Sequence, residues 1–158
     1  MYKTSLSHLL VYSNHNNMVI AVDFDGTIVE HKYPAIGKER PFAVATLKQL
    51  MEDGHKLVLW SVRTGKLLDE AVAWCEERGV RFYAVNGNLD EDANCMNSDN
   101  FCRKLKVQMF IDDRNVGGLP DWGSIYQIIT RRISYEQLLR EEMNMPVEKP
   151  KRKGWWPF

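Results

Sequence analysis

At 158 residues the chain is of single-domain length and can bury an adequate core. Its 21 basic and 21 acidic residues cancel, so no global field draws it to nucleic acid or to anionic membranes. No apolar run reaches the roughly 18 residues of a transmembrane helix. Three cysteines, Cys75, Cys95 and Cys102, are odd in number and lack metal-ligand spacing, which argues against a disulfide framework and fits a reducing cytoplasm.

Met1 to Asn17 contains a short Leu9-Leu10-Val11 stretch but lacks the apolar core and small-residue cleavage site of a secretory signal. Residues 1–17 are expected to form a flexible extension ahead of a single domain spanning 18–143, and Met18 is a candidate translation start. Val19 to Asp23 reads as the first strand, and its tip carries Asp23-Phe24-Asp25-Gly26-Thr27. In open α/β sheets ligands bind beyond the carboxyl ends of the strands. Side chains at i and i+2 of an extended segment point the same way, but the chain turns at Gly26. Asp23 and Asp25 can therefore flank one small site in different roles. One carboxylate can attack while the other handles a proton, and a divalent cation can neutralise the pair.

Ile28 to Arg40, with Pro34 and Gly37, reads as a loop or small hairpin. Pro41 opens a helix with Phe42, Val44, Ala45, Leu47, Leu50 and Met51 on its apolar face, and Gly54 ends it. Lys56 to Trp60 is a second strand, tipped by Ser61. A helix starting at Thr64 or Gly65 runs to Arg78 and stops at Gly79; its stripe of Leu67, Leu68, Ala71, Val72 and Cys75 makes Cys75 a core residue. Val80 to Val85 is a third strand, and Asn86 to Asn100 is a polar loop. Val107 to Ile111 is a fourth strand that ends in Asp112-Asp113, with Lys104 and Lys106 just before it. Ile125 to Thr130 is either a strand or a short helix, and Ser134 caps a last helix. Residues 144–158, with Lys151-Arg152-Lys153 and Trp155-Trp156, read as a flexible tail. Strands alternating with helices predict an α/β fold, a doubly wound parallel sheet with helices on both faces.

Three strand tips thus offer Asp-x-Asp, Ser and Asp-Asp, with a lysine nearby. That order resembles the haloacid dehalogenase (HAD) superfamily of phosphohydrolases, over roughly Met18 to Thr130. Asp23-Phe24-Asp25-Gly26-Thr27 matches its first motif, Ser61 fits the second, Lys104 the third and Asp112-Asp113 the fourth. The resemblance implies a HAD-like, Rossmann-like fold and an Mg²⁺-dependent phosphatase, which the cysteine usage places in the cytoplasm. The gaps from Ile28 to Trp60 and from Val62 to Arg103 are filled by core elements and short loops, which implies no cap domain. Water must then be excluded by a bulky substrate, a flap at 28–40 or a neighbouring subunit. The partner is a phosphorylated substrate, small or macromolecular, and a homo-oligomer stays open.

In that framework Asp23 is the nucleophile that forms an aspartyl-phosphate. Asp25 is the general acid and then base, a role worth about 10²–10⁴-fold, with Thr27 as the residue that would hold it. Asp23, Asp25 (through its backbone carbonyl), Asp112 and Asp113 are the metal candidates; Mg²⁺ takes oxygen ligands and keeps several waters. Ser61 donates to a phosphoryl oxygen, and Lys104, with Lys106 in competition, supplies positive charge. Arg63 is a candidate phosphate contact through its fork of donors, beside the plainer reading of a solvated arginine. His31, Lys32 and Tyr33 lie in the flap, and Asn86 and Asn88 follow another strand tip. Two rivals remain: a phosphotransferase, and a catalytically idle fold that binds a phospho-ligand or a protein. Retention of Asp25 argues against idleness. A receiver domain would place the acidic pair and the phosphorylated Asp in the reverse order.

Overall fold

The computed structural model describes residues 17–88 and 104–145. The expected 1–17 extension, apart from Asn17, Cys95, Cys102 and all of the tail beyond Met145 lie outside the described residues. The chain falls into two compact units, Met1–Leu119 and Pro120–Phe158.

The first unit is built on a four-stranded parallel sheet, so the fold is α/β. Its strands are β1 (Val19–Val22), β2 (Lys56–Leu59), β3 (Ala84–Val85) and β4 (Met109–Ile111), in the order β3-β2-β1-β4. β1 is an interior strand, and Ile20, Ala21 and Val22 are all buried, the near-continuous apolar run expected of a parallel strand covered on both faces. Alternation puts Ala21 and Val58 on one face, where they pack with Leu105, Trp60 and Tyr83. The register decides where function can sit. Val22 lies level with Leu59 and with Ile111, and Leu59 with Val85. The ladder runs one residue further, with Asp23 N–H donating to Ile111 O at 2.9 Å, Trp60 N–H to Val22 O at 2.9 Å and Asn86 N–H to Leu59 O at 2.8 Å. All four strands therefore end at one edge, and the next residues leave together.

Helix α1 (Ala43–Glu52) follows β1 in sequence and α2 (Gly65–Glu76) follows β2. Leu47 and Leu50 bury the inner face of α1, but Phe42, expected on that face, sits before the helix at φ 66° and is 74 % exposed. Ala45 is exposed as well. In α2, Ala71 and Cys75 are buried as expected, and burial pushes the Cys75 thiol up to about 12, leaving it inert. Phe24 meets Trp74 of α2 edge-on, with ring centroids 5.8 Å apart. β3 is shorter than the expected Val80 to Val85, and β4 begins at Met109 rather than Val107. β3 lies at the sheet's edge, where only two residues find partners on β2.

The second unit resolves the choice at Ile125 to Thr130 in favour of a helix. α3 (Trp122–Arg131) buries Trp122, Ile125, Ile128 and Ile129, a stripe at helical spacing. Asp121 caps it by accepting from the N–H groups of Gly123 and Ser124. Ser134 caps α4 (Tyr135–Glu142) in a reciprocal box with Gln137, and an Arg131–Glu141 ion pair of 2.6 Å ties the two helices. No helix among the described residues is long and apolar enough to cross a membrane.

Candidate active site at the strand tips

The turn after β1 shapes the site. Gly26 takes φ 93°, a conformation that side-chain-bearing residues rarely adopt, and a Cβ there would run into the Asp113 carboxylate. Its N–H donates to Val29 O at 2.7 Å, and Phe24 O accepts from Ile28 and Val29. This tight loop brings Thr27 back beneath the strand tip. The Thr27 hydroxyl donates to Asp23 Oδ2 at 3.1 Å and accepts from Asp113 N–H at 3.0 Å. Thr27 is expected to hold Asp25; its hydroxyl joins the ends of β1 and β4, because the turn carries it back to Asp23.

Asp23, Asp112 and Asp113 each present an oxygen within 4.8 Å of the others. Three carboxylates this close repel. Burial, opposed in part by hydrogen bonds from Phe24 N–H and the Thr27 hydroxyl, and reinforced by the charges of Asp112 and Asp113, pushes Asp23 up to about 6. Asp113 Oδ1 is buried with no hydrogen-bond partner, a condition that costs free energy unless something positive satisfies it. An all-oxygen donor set with an orphaned oxygen fits a hard divalent cation. The Asp112 side chain also accepts from Arg114 N–H at 2.8 Å, which holds its loop.

Asp25 lies apart from that cluster chemically, although only two residues from Asp23. Its carboxylate is buried against Arg63, with Arg63 Nε donating to Oδ2 at 2.6 Å and Nη2 to Oδ1 at 2.7 Å. Arg63, expected as a phosphate contact or as a solvated arginine, is not in solvent. Its side chain is 0 % exposed, and its remaining bonds go to the carbonyls of Pro34 and Ala35 at 3.0 and 2.9 Å. Asp25 and the 28–40 segment together take four of its five N–H donors. That segment is hairpin-like, as expected, with Glu30 N–H donating to Lys38 O and Arg40 N–H to Ile28 O.

Ser61 sits half-buried beyond β2, and its Oγ accepts from Arg63 N–H at 3.2 Å, which leaves its proton available to an incoming oxygen. Asn86 does more than line a crevice. Its Oδ1 accepts from Ser61 N–H at 2.7 Å and its Nδ2 donates to Arg63 O at 3.3 Å, so it clamps the Ser61–Arg63 loop. Asn86 has φ 50°, and asparagine's tolerance of that conformation was the one local signal for this role. Lys104 is exposed and makes no ion pair with the three clustered acids. Lys106 is exposed, and its N–H donates to Asn88 Oδ1 at 2.9 Å. His31 and Lys32 are exposed. Arg40, not singled out in the sequence, donates to Gly26 O at 3.0 Å and braces the turn; no local pattern marks it, because its partner is 14 residues away.

The tips of a parallel sheet carrying an acidic cluster define an α/β protein with a candidate metal-binding edge. A solved structure of a conserved protein from Bacteroides thetaiotaomicron is 57 % identical over 78 % of this chain and 98 % of its own, with a TM-score of 0.71. The chain belongs to the same family as that conserved protein. No family model matches the chain, and no curated protein matches it.

Proposed function

We propose that this protein is a phosphohydrolase of the capless HAD type, dependent on Mg²⁺ and working through an aspartyl-phosphate at Asp23. The observation that carries the reading is the meeting of Asp23, Asp112 and Asp113 at one sheet edge, with Thr27 bridging the first and last. Those three carboxylates would hold the cation, which supplies charge neutralisation for an anionic nucleophile meeting an anionic phosphate.

Asp23 Oδ attacks phosphorus, and the bond from phosphorus to the ester oxygen breaks. Ser61 donates to a phosphoryl oxygen, and Lys104 or Lys106 adds positive charge as the substrate arrives. Asp25, once it has left Arg63 and taken up a proton from solvent, gives that proton to the leaving oxygen, then takes one from the water that attacks phosphorus as the bond from phosphorus to Asp23 Oδ breaks. Both Asp25 oxygens rest on Arg63, so this part of the cycle requires the pair to loosen. The same pair favours a rival, a binding module without turnover. Phosphate release from a broad panel of phosphoesters, with Mg²⁺ and with chelator, decides between them. Metal-dependent release that disappears in Asp23→Asn supports the phosphatase; silence across small and macromolecular phosphoesters alike supports the binder.

A further inference from the structure

We infer that Arg63 is a positioning residue that couples the 28–40 segment to Asp25, so that movement of this flap sets whether the Asp25 oxygens are free for proton transfer. The inference rests on the phosphatase reading for its catalytic consequence, but the coupling is a property of the fold.

The guanidinium is shared between two masters. Two of its bonds go to Asp25 and two to the carbonyls of Pro34 and Ala35 in the flap. The Tyr33 ring of the same flap lies over it at 5.3 Å, and the Phe24 ring of the β1 tip at 5.2 Å. Tyr33 is half-exposed, whereas the Arg63 side chain is fully buried. The flap therefore has a solvent face that a substrate can press, and an inner face bonded to the group that holds Asp25. The main chain of Arg63 is fixed independently, by its N–H on Ser61 Oγ and its carbonyl on Asn86 Nδ2. A flap shift thus moves the head of the side chain about an anchored root. The planar fork has no rotational freedom to keep both Asp25 bonds while following displaced carbonyls. A residue needed only to neutralise Asp25 has no use for the flap carbonyls. One needed only to pin the flap has no use for Asp25.

Amide hydrogen exchange over 30–40 in the wild-type protein, Arg63→Lys, Asp25→Asn and the double variant tests this. The printed bonds of the Asp25 side chain go to Arg63, whereas the Asp25 backbone bridges Val29 at the flap's root, so the response to Asp25→Asn is scored beside Pro34 and Ala35, whose carbonyls Arg63 holds. Exchange is expected to rise about tenfold in each single variant, as loss of a charge-assisted bond implies. The double variant should add little more. Unchanged flap exchange in Asp25→Asn, or fully additive effects, would overturn the coupling. Asp25→Asn keeps shape and an acceptor, so it carries the comparison if Arg63→Lys does not fold. In steady-state assays on the best phosphoester of the panel, Arg63→Lys should raise kcat with KM nearly unchanged, because a weaker hold frees the Asp25 oxygens; a change in KM alone would return Arg63 to substrate binding. A wild-type protein without turnover sinks the phosphatase reading, and the exchange result still decides the coupling.

Discussion

Asp23 and Asp25 leave the same strand two residues apart and meet opposite surroundings. Asp23 joins Asp112 and Asp113 in a cluster with excess negative charge, pushed up to about 6 and adjoining a buried oxygen with no partner. Asp25 is buried against a guanidinium that satisfies both its oxygens. The difference teaches where a ligand is wanted. A cluster that folding leaves unneutralised is poised for a cation, whereas a neutralised pair is held until something moves it.

The largest expected effect breaks the comparison on the Asp23 side. Asp23→Asn should reduce Mg²⁺-dependent phosphate release by about 10³-fold or more while circular dichroism stays native; full activity in the variant would remove Asp23 as nucleophile. On the other side, Arg63→Met should cost about 3–5 kcal/mol in urea unfolding, because it strands a buried carboxylate. A cost near zero would show that the pair is not buried in solution.

The electrostatics of the cluster can be sharpened by pH. Asp23 titrates near 6 in the folded chain against an ordinary 3.8, so the folded state holds its proton more tightly. Its contribution to stability without metal is full below about pH 4 and is lost as pH rises through 6. Mg²⁺ at about 100 times its Kd should then add about 2.7 kcal/mol at pH 7.5, and distinctly less at pH 5, where Asp23 is largely protonated. Thermal unfolding with Mg²⁺ and with chelator measures both, and an Asp112→Asn variant that keeps the full metal effect would take Asp112 out of the site. The smallest effect is a control away from either carboxylate. Ser134→Ala should cost about 1 kcal/mol through loss of the α4 cap and leave the Mg²⁺ response unchanged.

Much of this site was legible in the chain before any contact was known. Asp23, Ser61 and Asp112 were placed at strand tips because each follows an apolar run, and a parallel sheet presents all such tips at one edge. Less legible was the shape of the ends. Phe42 fits a helical apolar face by spacing, yet it takes a left-handed conformation outside α1. The stretch from Val80 reads as a strand, yet only Ala84 and Val85 find a partner.

The sequence by itself determined the order of elements, the caps at Ser134 and the acidic tips, since these depend on neighbours within a turn or a strand. Tertiary structure alone decided that Arg63 binds Asp25 across 38 positions, that Thr27 bridges Asp23 to Asp113 across 86, and that Asn86 clamps Ser61 across 25. The physical reason is range. Periodicity and capping are local and are written in adjacent residues. The partner of a buried charge is chosen by which distant segment the sheet register brings alongside it, here in the order β3-β2-β1-β4.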